Sequence, residues 1–246
     1  MLTKKIVLLA ALLVPGVAGA AATAHLDHAA TDIHNTASLQ RGARNFASYC
    51  LGCHSAKYVR WNRVAADLGI AEEQLEQYLL PAGAKPFDTM HSAMPAQQAT
   101  DWFGVAPPDL SLIARSRGAD YVYTFLRSFY ADPAKASGWN NTVLPGTAMP
   151  HVLWELQGLQ EAVWAGEPNA AGDVRHEFKE FKLVTPGKLS PEEYDSFVRD
   201  TVNFLEYIAE PAQLQRRSLG FPVIAFLIFF TLLAYALKKE YWKDVK

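Results

Sequence analysis

The feature that most limits how this chain can fold is an uncharged apolar run near its C-terminus, from Leu219 to Leu237. At about 1.5 Å per residue, a helix of this length spans roughly the 30 Å hydrocarbon core of a bilayer. A helix buried in a protein core is the alternative, but the flanking basic and aromatic residues favour a membrane span. Pro222 is expected in the first turn of that helix, where its missing N–H costs little. The flanking residues are Arg216, Arg217, Lys238, Lys239, Tyr235, Tyr241 and Trp242.

The N-terminus has the pattern of a secretory signal peptide. Lys4 and Lys5 precede a short apolar stretch, and Ala18-Gly19-Ala20 has the form of a cleavage site. An N-terminal membrane anchor is the alternative, but the stretch is too short to span a bilayer comfortably. Export of the segment between the two apolar stretches also sets the orientation, because it leaves the lysine-rich C-terminal tail in the cytoplasm.

These two ends predict four regions: a signal peptide at 1–20, an exported domain at 21–212, a transmembrane anchor at 213–239 and a cytoplasmic tail at 240–246. Half of all residues are hydrophobic, which is enough for a sizeable core. The formal net charge of −2 gives no indication of nucleic-acid binding.

The exported domain is predicted to be mainly α, with two clear helices. The first covers "DYVYTFLRSFY", with Asp120 expected at its N-cap. The second begins after Ser190, with Pro191 at its first position and Glu193 completing a capping box. Pro211 is expected to mark its end.

The chain has two cysteines, Cys50 and Cys53, and His54 follows the second directly. A disulfide between them would close so short a loop that it would stabilise little. A thioredoxin-like redox pair needs a βαβ context, which the flanking helix and loop patterns do not provide. A structural zinc site usually has four ligands, and there is no second cysteine pair. The remaining interpretation is Cys-x-x-Cys-His, the attachment motif of c-type haem.

The spacing of the motif suits that chemistry. Two thiols add to two vinyl groups on one side of a porphyrin and form two thioethers. Residues at i and i+3 on a helical turn share one face, so Cys50 and Cys53 can both reach the same porphyrin. The sequence therefore predicts one covalently bound haem c, with His54 as the first axial ligand of the iron.

A methionine thioether is the usual second axial ligand in electron-carrying haem proteins. Met90, Met94 and Met149 remain after the signal peptide, although filling a core is the ordinary role of any methionine. Met149 lies in the loop "WNNTVLPGTAMPH" between the two predicted helices, where it can approach the distal haem face. Position favours Met149 over Met94, and His91 and His151 are weaker candidates.

Several stretches together resemble one family, the cytochrome c1 subunit of the quinol–cytochrome c reductase (bc1) complex, in its bacterial form. They run in family order through most of the chain, and "APPDLS" and "YIAEP" are more specific than the haem motif. The stretches are "RGARNFASYCLGCHS", "WFGVAPPDLSLIARSRGADYVYTFLRSFY", "GWNNTVLPGTAMPHVLW" and "VNFLEYIAEPAQLQRRSLG".

The resemblance implies a class I cytochrome c fold with insertions, plus one C-terminal transmembrane helix. It assigns Met149 as the sixth iron ligand. It also implies that Gly42 and Phe46 let the haem-bearing helix cross the last helix of the domain closely. Glycine permits close backbone approach, and phenylalanine supplies buried area.

Further haem contacts are implied by the same resemblance. Pro107 and Pro108 are expected on the proximal side, where a proline carbonyl can accept the free N–H of His54. Arg117 is expected to pair with a haem propionate and Tyr121 to lie at the haem edge. The other arginines considered for the propionate are Arg115 and Arg127.

The implied function is one-electron transfer within quinol–cytochrome c reductase. The electron would come from the Rieske iron–sulfur protein and pass to a soluble or membrane-anchored cytochrome c, while the C-terminal helix packs against cytochrome b in the lipid bilayer. The complex is expected to be dimeric, in a bacterial inner membrane, with the haem domain in the periplasm. The alternatives are a free-standing anchored cytochrome c, an open-iron haem enzyme or gas sensor, and a thiol oxidoreductase.

Two features of the chain depart from the family pattern or stay without a role. Some members carry an additional disulfide in the distal region, whereas both cysteines of this chain are used by the haem motif, so packing must hold the Met149 loop. Residues 155–190 are expected to be a surface insertion. Its glutamates are considered either as an acidic docking face for a basic partner or as a solvated loop. They are Glu155, Glu161, Glu167 and Glu177.

Overall fold

The computed structural model describes residues 25–166 and 177–244. The predicted signal peptide at 1–20 therefore lies wholly outside the described residues. The helices are α1 (Thr36–Asn45), α2 (Trp61–Leu68), α3 (Glu72–Tyr78), α4 (Ala96–Phe103), α5 (Ile113–Arg117), α6 (Ala119–Arg127), α7 (Trp154–Gln157), α8 (Pro191–Ala209) and α9 (Gln213–Tyr241). The strands are β1 (Ala56–Arg60), β2 (Thr89–Met90), β3 (Phe129–Ala131), β4 (Trp139–Asn141), β5 (Gly158–Ala165) and β6 (Glu177–Pro186).

The domain is held together mainly by helix packing around α8. This helix begins as predicted: the Ser190 hydroxyl accepts from the Glu193 N–H, and the Glu193 carboxylate accepts from the Ser190 N–H. Its inward face is fully buried over Val198, Val202 and Phe204. Helices α1, α5 and α6 all pack against α8. This helix is therefore the central element of the domain.

The close crossing predicted for α1 and α8 is present. A Cβ placed on Gly42 would lie 2.1 Å from the main-chain oxygen of Asp200 and 2.7 Å from the Cβ of Phe204. Phe46 is completely buried, and its ring lies 5.7 Å from that of Phe204. Only glycine lets the two backbones approach this closely.

The helix predicted at "DYVYTFLRSFY" differs from expectation at both ends. Gly118, not Asp120, occupies the N-cap of α6, and the helix ends at Arg127 before strand β3. Asp120 lies in the first turn, and its carboxylate accepts from the Ala29 N–H at 2.8 Å. Its side chain is thus used to fasten the N-terminal segment, a contact that local sequence does not reveal.

The strands form three separate antiparallel pairs, β1 with β2, β3 with β4, and β5 with β6. The last pair lies in the predicted surface insertion, so the described part of that region is a two-stranded antiparallel ladder. Glu155 pairs with Lys188 at 2.5 Å, and Glu161 faces Lys182 across the ladder. Of the four glutamates considered for an acidic docking face, Glu155 is therefore ion-paired with a lysine, and Glu161 has a lysine at the opposite register position. The other two are Glu167, which lies outside the described residues, and Glu177, at which β6 begins.

Helix α9 contains the apolar run. Among the described residues it is the one helix long and apolar enough to cross a membrane, and its apolar window is not buried against the domain. Pro222 lies well inside this helix and not in its first turn, because α9 already begins at Gln213. The extension arises from the polar segment that continues the helix back towards α8. Arg216 in this segment pairs with Glu210 at 2.7 Å.

Candidate functional site

One cavity of about 520 Å³ brings together all eight residues that are predicted from the sequence to attach, ligate or contact the haem. Its size lies in the range of about 300–1,000 Å³ that is typical of ligand and cofactor pockets. The wall is largely apolar, with Phe125, Leu126 and Leu205 among its residues. The predicted site residues on it are Cys50, Cys53, His54, Pro107, Pro108, Arg117, Tyr121 and Met149.

The cysteine motif follows α1 through a π-helical segment, Phe46–Cys50. Such segments are rare and occur often at functional sites. The chain then turns so that both the Cys53 and the His54 N–H groups donate to the Cys50 carbonyl, at 3.1 and 2.8 Å. This tight turn keeps the two thiols and the imidazole on one cavity wall.

The imidazole of His54 is oriented by a main-chain group. Its Nδ1 lies 2.8 Å from the carbonyl oxygen of Pro108, which leaves Nε2 as the nitrogen available to a metal. Burial lowers the pKa of His54, while the Pro108 carbonyl and the Asp109 carboxylate partly oppose that effect. The ring is therefore neutral at neutral pH, which is the form that binds metal ions.

The proline segment is itself fixed against the motif. The Leu110 N–H donates to the Ser55 carbonyl at 2.7 Å, and the Asp109 carboxylate accepts from the Lys57 N–H at 3.1 Å. Because Ser55 and Lys57 follow His54 closely in the chain, these two bonds hold the Pro108 carbonyl beside the imidazole that it contacts.

Burial disfavours a thiolate at Cys50. Neither cysteine is in a disulfide. Burial, and then the neighbouring Cys53, raise the pKa of the Cys50 thiol to about 12. Thiol–disulfide exchange needs an accessible thiolate, so the setting of Cys50 does not favour a thiol oxidoreductase.

Arg117 and Tyr121 meet at the cavity mouth, where the Arg117 guanidinium carbon lies 5.6 Å from the centre of the Tyr121 ring. The two alternative arginines are engaged elsewhere. Arg115 pairs with Glu210 at 3.3 Å, and Arg127 pairs with Asp195 at 2.6 Å. Arg117 is exposed beside the cavity, where its charge can meet an anionic group.

Met149 is the methionine of the described chain that lines this cavity. Met90 is completely buried in the core, which is the ordinary role of a methionine. Among the described residues, Met94 does not line the cavity wall, and His91 lines a separate open cleft. His151 is buried against the rings of Phe129 and Trp139, so none of these four side chains replaces Met149 at the cavity.

Other cavity residues were missed by sequence reasoning. Asn45, Phe197 and Thr201 reach the wall from α1 and α8, where the Asn45 amide donates to the Thr201 hydroxyl at 3.2 Å. Leu110 and Ile113 come from the segment after the prolines. Their apolar character marks them as core residues, but only the tertiary fold places them on this wall.

The residues present fit a covalently held haem. A porphyrin needs an apolar slot, two thiols on one side, an imidazole with a free Nε2, and a thioether for the other axial position. The cavity contains each of these, and an exposed arginine at its mouth can pair with a propionate.

Comparison with known proteins agrees with this chemistry. Residues 27–174 and 184–245 match the Cytochrome C1 family. The chain is 53% identical over 221 residues to a cytochrome c1 of Allochromatium vinosum, covering 90% of each protein. It is also 46% identical over 242 residues to a Nitrosomonas europaea protein named ammonia monooxygenase gamma subunit, covering 98% of each, and 28% identical to a cytochrome c1 of Rhodospirillum rubrum. The chain therefore belongs to the cytochrome c1 family.

Proposed function

We propose that this chain is the haem-bearing electron-transfer subunit of a bacterial cytochrome bc1 complex, that is, of a quinol–cytochrome c reductase. It takes single electrons from a Rieske iron–sulfur protein and passes them to a soluble or membrane-anchored cytochrome c. The single observation that carries the proposal is the convergence of Cys50, Cys53, His54 and Met149 on one apolar cavity.

The chain's own residues bind and orient the cofactor. Cys50 and Cys53 would hold one haem c through two thioethers, and His54 and Met149 would ligate its iron. Pro108 fixes the imidazole through its carbonyl, while Pro107 closes the proximal wall. Haem c supplies reversible one-electron redox chemistry, which the protein tunes by ligation, burial and charge.

The other residues of the wall control access and charge. The apolar lining would exclude water from a bound haem, which favours the less charged state of the iron site and raises its reduction potential. Arg117 would pair with a propionate, and Tyr121 would contact the haem beside it. The fold that accomplishes this is a class I cytochrome c fold with insertions.

The two ends of the chain place this domain at a membrane. The signal peptide at 1–20 exports residues 21–212 to the periplasm, the segment 213–239 anchors the domain in the inner membrane, and 240–246 stay in the cytoplasm. Cytochrome b packs against the anchor, since α9 presents an apolar surface that the other described residues do not cover. The complex is a dimer.

Purification of the intact complex tests this function. The detergent-solubilised chain, captured by a C-terminal tag, is expected to bring with it a b-type cytochrome and a Rieske iron–sulfur protein. Quinol addition to that complex should reduce the haem of this chain, and a Rieske inhibitor should prevent the reduction. Recovery of the chain alone, with a normal haem spectrum, would indicate a free-standing anchored cytochrome instead.

The relative named as a subunit of ammonia monooxygenase suggests a second assembly to test. If His54 and Met149 both ligate the iron, as proposed, the chain would carry electrons in either assembly. Copper-containing membrane subunits in the purified complex, in place of the b-type cytochrome, would favour the second assembly.

A further inference from the structure

The loop that carries Met149 begins at Asn141, a side chain with no solvent exposure. The Asn141 amide nitrogen donates to the carbonyl of Phe125 on α6 at 2.8 Å. Its amide oxygen accepts from the N–H groups of Val143 and Leu144, at 2.9 and 3.1 Å. One side chain therefore ties the start of the loop to a helix that lines the cavity and folds the next three residues into a turn.

Hydrogen bonds continue from this turn to the methionine itself. The Thr147 N–H donates to the Leu144 carbonyl at 3.1 Å, and the Thr147 hydroxyl accepts from the Met149 N–H at 3.4 Å. A continuous path of polar contacts thus runs from Phe125 through Asn141 to Met149. Because Asn141 does not line the cavity, it can act on the thioether only through this path.

Neighbouring residues reinforce the same turn. The Asn140 side-chain oxygen accepts from the Gly146 N–H at 2.8 Å, and its amide nitrogen donates to Asp132 at 2.9 Å. Beyond the methionine, the buried ring of His151 stacks on Phe129 at 4.9 Å with only 3° between the planes. The loop is therefore fixed on both sides of Met149 without a covalent bond.

We infer that Asn141 is the positioning residue that keeps the Met149 thioether on the haem iron. The inference rests on the proposed function, because it needs a haem in the cavity. Loss of the Asn141 side chain removes three hydrogen bonds from a buried segment, and each contributes to holding the loop closed. The loop then opens, and the iron loses its sixth ligand for part of the time.

Asn203 provides a matched control. It is equally buried, at 1% exposure, and its amide nitrogen also donates to a backbone carbonyl, that of Asp32, at 2.8 Å. Asn203 lies on α8 outside the cavity wall. Loss of its side chain therefore destabilises the domain but removes no contact of the Met149 loop. A difference between Asn141 and Asn203 variants therefore reports on positioning and not on stability alone.

The experiment compares the full membrane-anchored chain with N141A, N141D and N203A. The readouts are the sulfur-to-iron charge-transfer band of the ferric haem, the rate of carbon monoxide binding to the ferrous haem, and amide hydrogen exchange over residues 143–149. N141A should lose the band, bind carbon monoxide at least about tenfold faster than N203A, and exchange faster in the loop. N203A should match the unmodified chain in all three.

The aspartate variant keeps the inference testable if N141A fails to accumulate. Aspartate keeps an acceptor oxygen for the N–H groups of Val143 and Leu144, but it replaces the donor to the Phe125 carbonyl with a second oxygen that repels that carbonyl. Carbon monoxide binding by N141D should be faster than by N203A. If N141A or N141D keeps the charge-transfer band and the slow binding of N203A, Asn141 does not position the ligand. If the unmodified chain holds no covalent haem, the proposed function itself fails.

Discussion

Gly42 of α1 and Asp200 of α8 are in direct backbone contact, so that a Cβ on Gly42 would overlap the Asp200 carbonyl oxygen at 2.1 Å. Around this contact the Asp200 carboxylate accepts from the Ser38 hydroxyl at 2.6 Å and from the Arg41 guanidinium at 2.5 Å. The crossing fixes the direction in which α1 leads into the cysteine motif. The crossing of α1 and α8 therefore fixes the position of the cavity wall that carries Cys50, although the crossing itself lies outside that wall.

Replacement of Gly42 by alanine should weaken this crossing. The added methyl group meets backbone and a Cβ, neither of which can rotate away, so we expect a loss of about 1–3 kcal/mol in the free energy of unfolding. Thermal or urea unfolding of the purified chain measures it. Gly52→Ala is the control, since nothing lies within 4 Å of a Cβ at that position. Equal stability of the two variants would show that α1 and α8 are not this close.

Replacement of Met149 by alanine should abolish thioether ligation, whereas the same change at Met94 should not. Met149 lines the cavity and Met94 does not. The optical spectrum of the ferric haem, recorded during a redox titration, distinguishes the two. We expect the M149A chain to lose its low-spin His/Met spectrum and to show a lower reduction potential. A normal spectrum in M149A with a changed one in M94A would reverse the ligand assignment.

Removal of the positive charge of Arg117 should lower the reduction potential of the haem. A cation near a propionate favours the reduced and less positive haem. The side chain is exposed, so the expected shift is only roughly 10 to 40 mV. Arg117→Gln and Arg115→Gln are compared by redox titration. Because Arg115 is already paired with Glu210, a larger shift in the Arg115 variant would mean that Arg117 does not meet the propionate.

Removal of the anchor should release an intact haem domain. A chain truncated after Ser218 keeps the ion pair between Arg216 and Glu210 and loses most of α9, whose apolar window is not buried against the domain. We expect this chain in the soluble periplasmic fraction with an unchanged haem spectrum. Its presence in the membrane fraction after a salt wash would show that another part of the domain binds the membrane.

The sequence predicted much of this structure where the signals are local. The capping box at Ser190 and Glu193 fixes the start of α8 because each side chain reaches a backbone N–H only three residues away. The turn of the cysteine motif is also local, because the N–H groups of Cys53 and His54 donate to the carbonyl of Cys50. The close approach of Gly42 to Asp200 was also anticipated, but through resemblance and not through spacing.

Sequence reasoning failed where tertiary contacts compete with local rules. Asp120 has the character of an N-cap, yet its carboxylate is taken by the N–H of Ala29, far away in the chain, and Gly118 caps the helix instead. Pro222 does not mark the start of α9, because the helix begins nine residues earlier. The role of Asn141 depends on Phe125, a partner that the sequence does not identify.

The most direct test of the central claim is haem retention by the denatured chain. The full chain is expressed with cytochrome c maturation, denatured, and separated from free haem, and the haem that stays with the polypeptide is measured by its alkaline pyridine spectrum. We expect one haem per chain, with the spectrum of two thioether bonds, and the spectrum of a single thioether bond for Cys50→Ala. Complete loss of haem from the unmodified chain on denaturation would contradict the account.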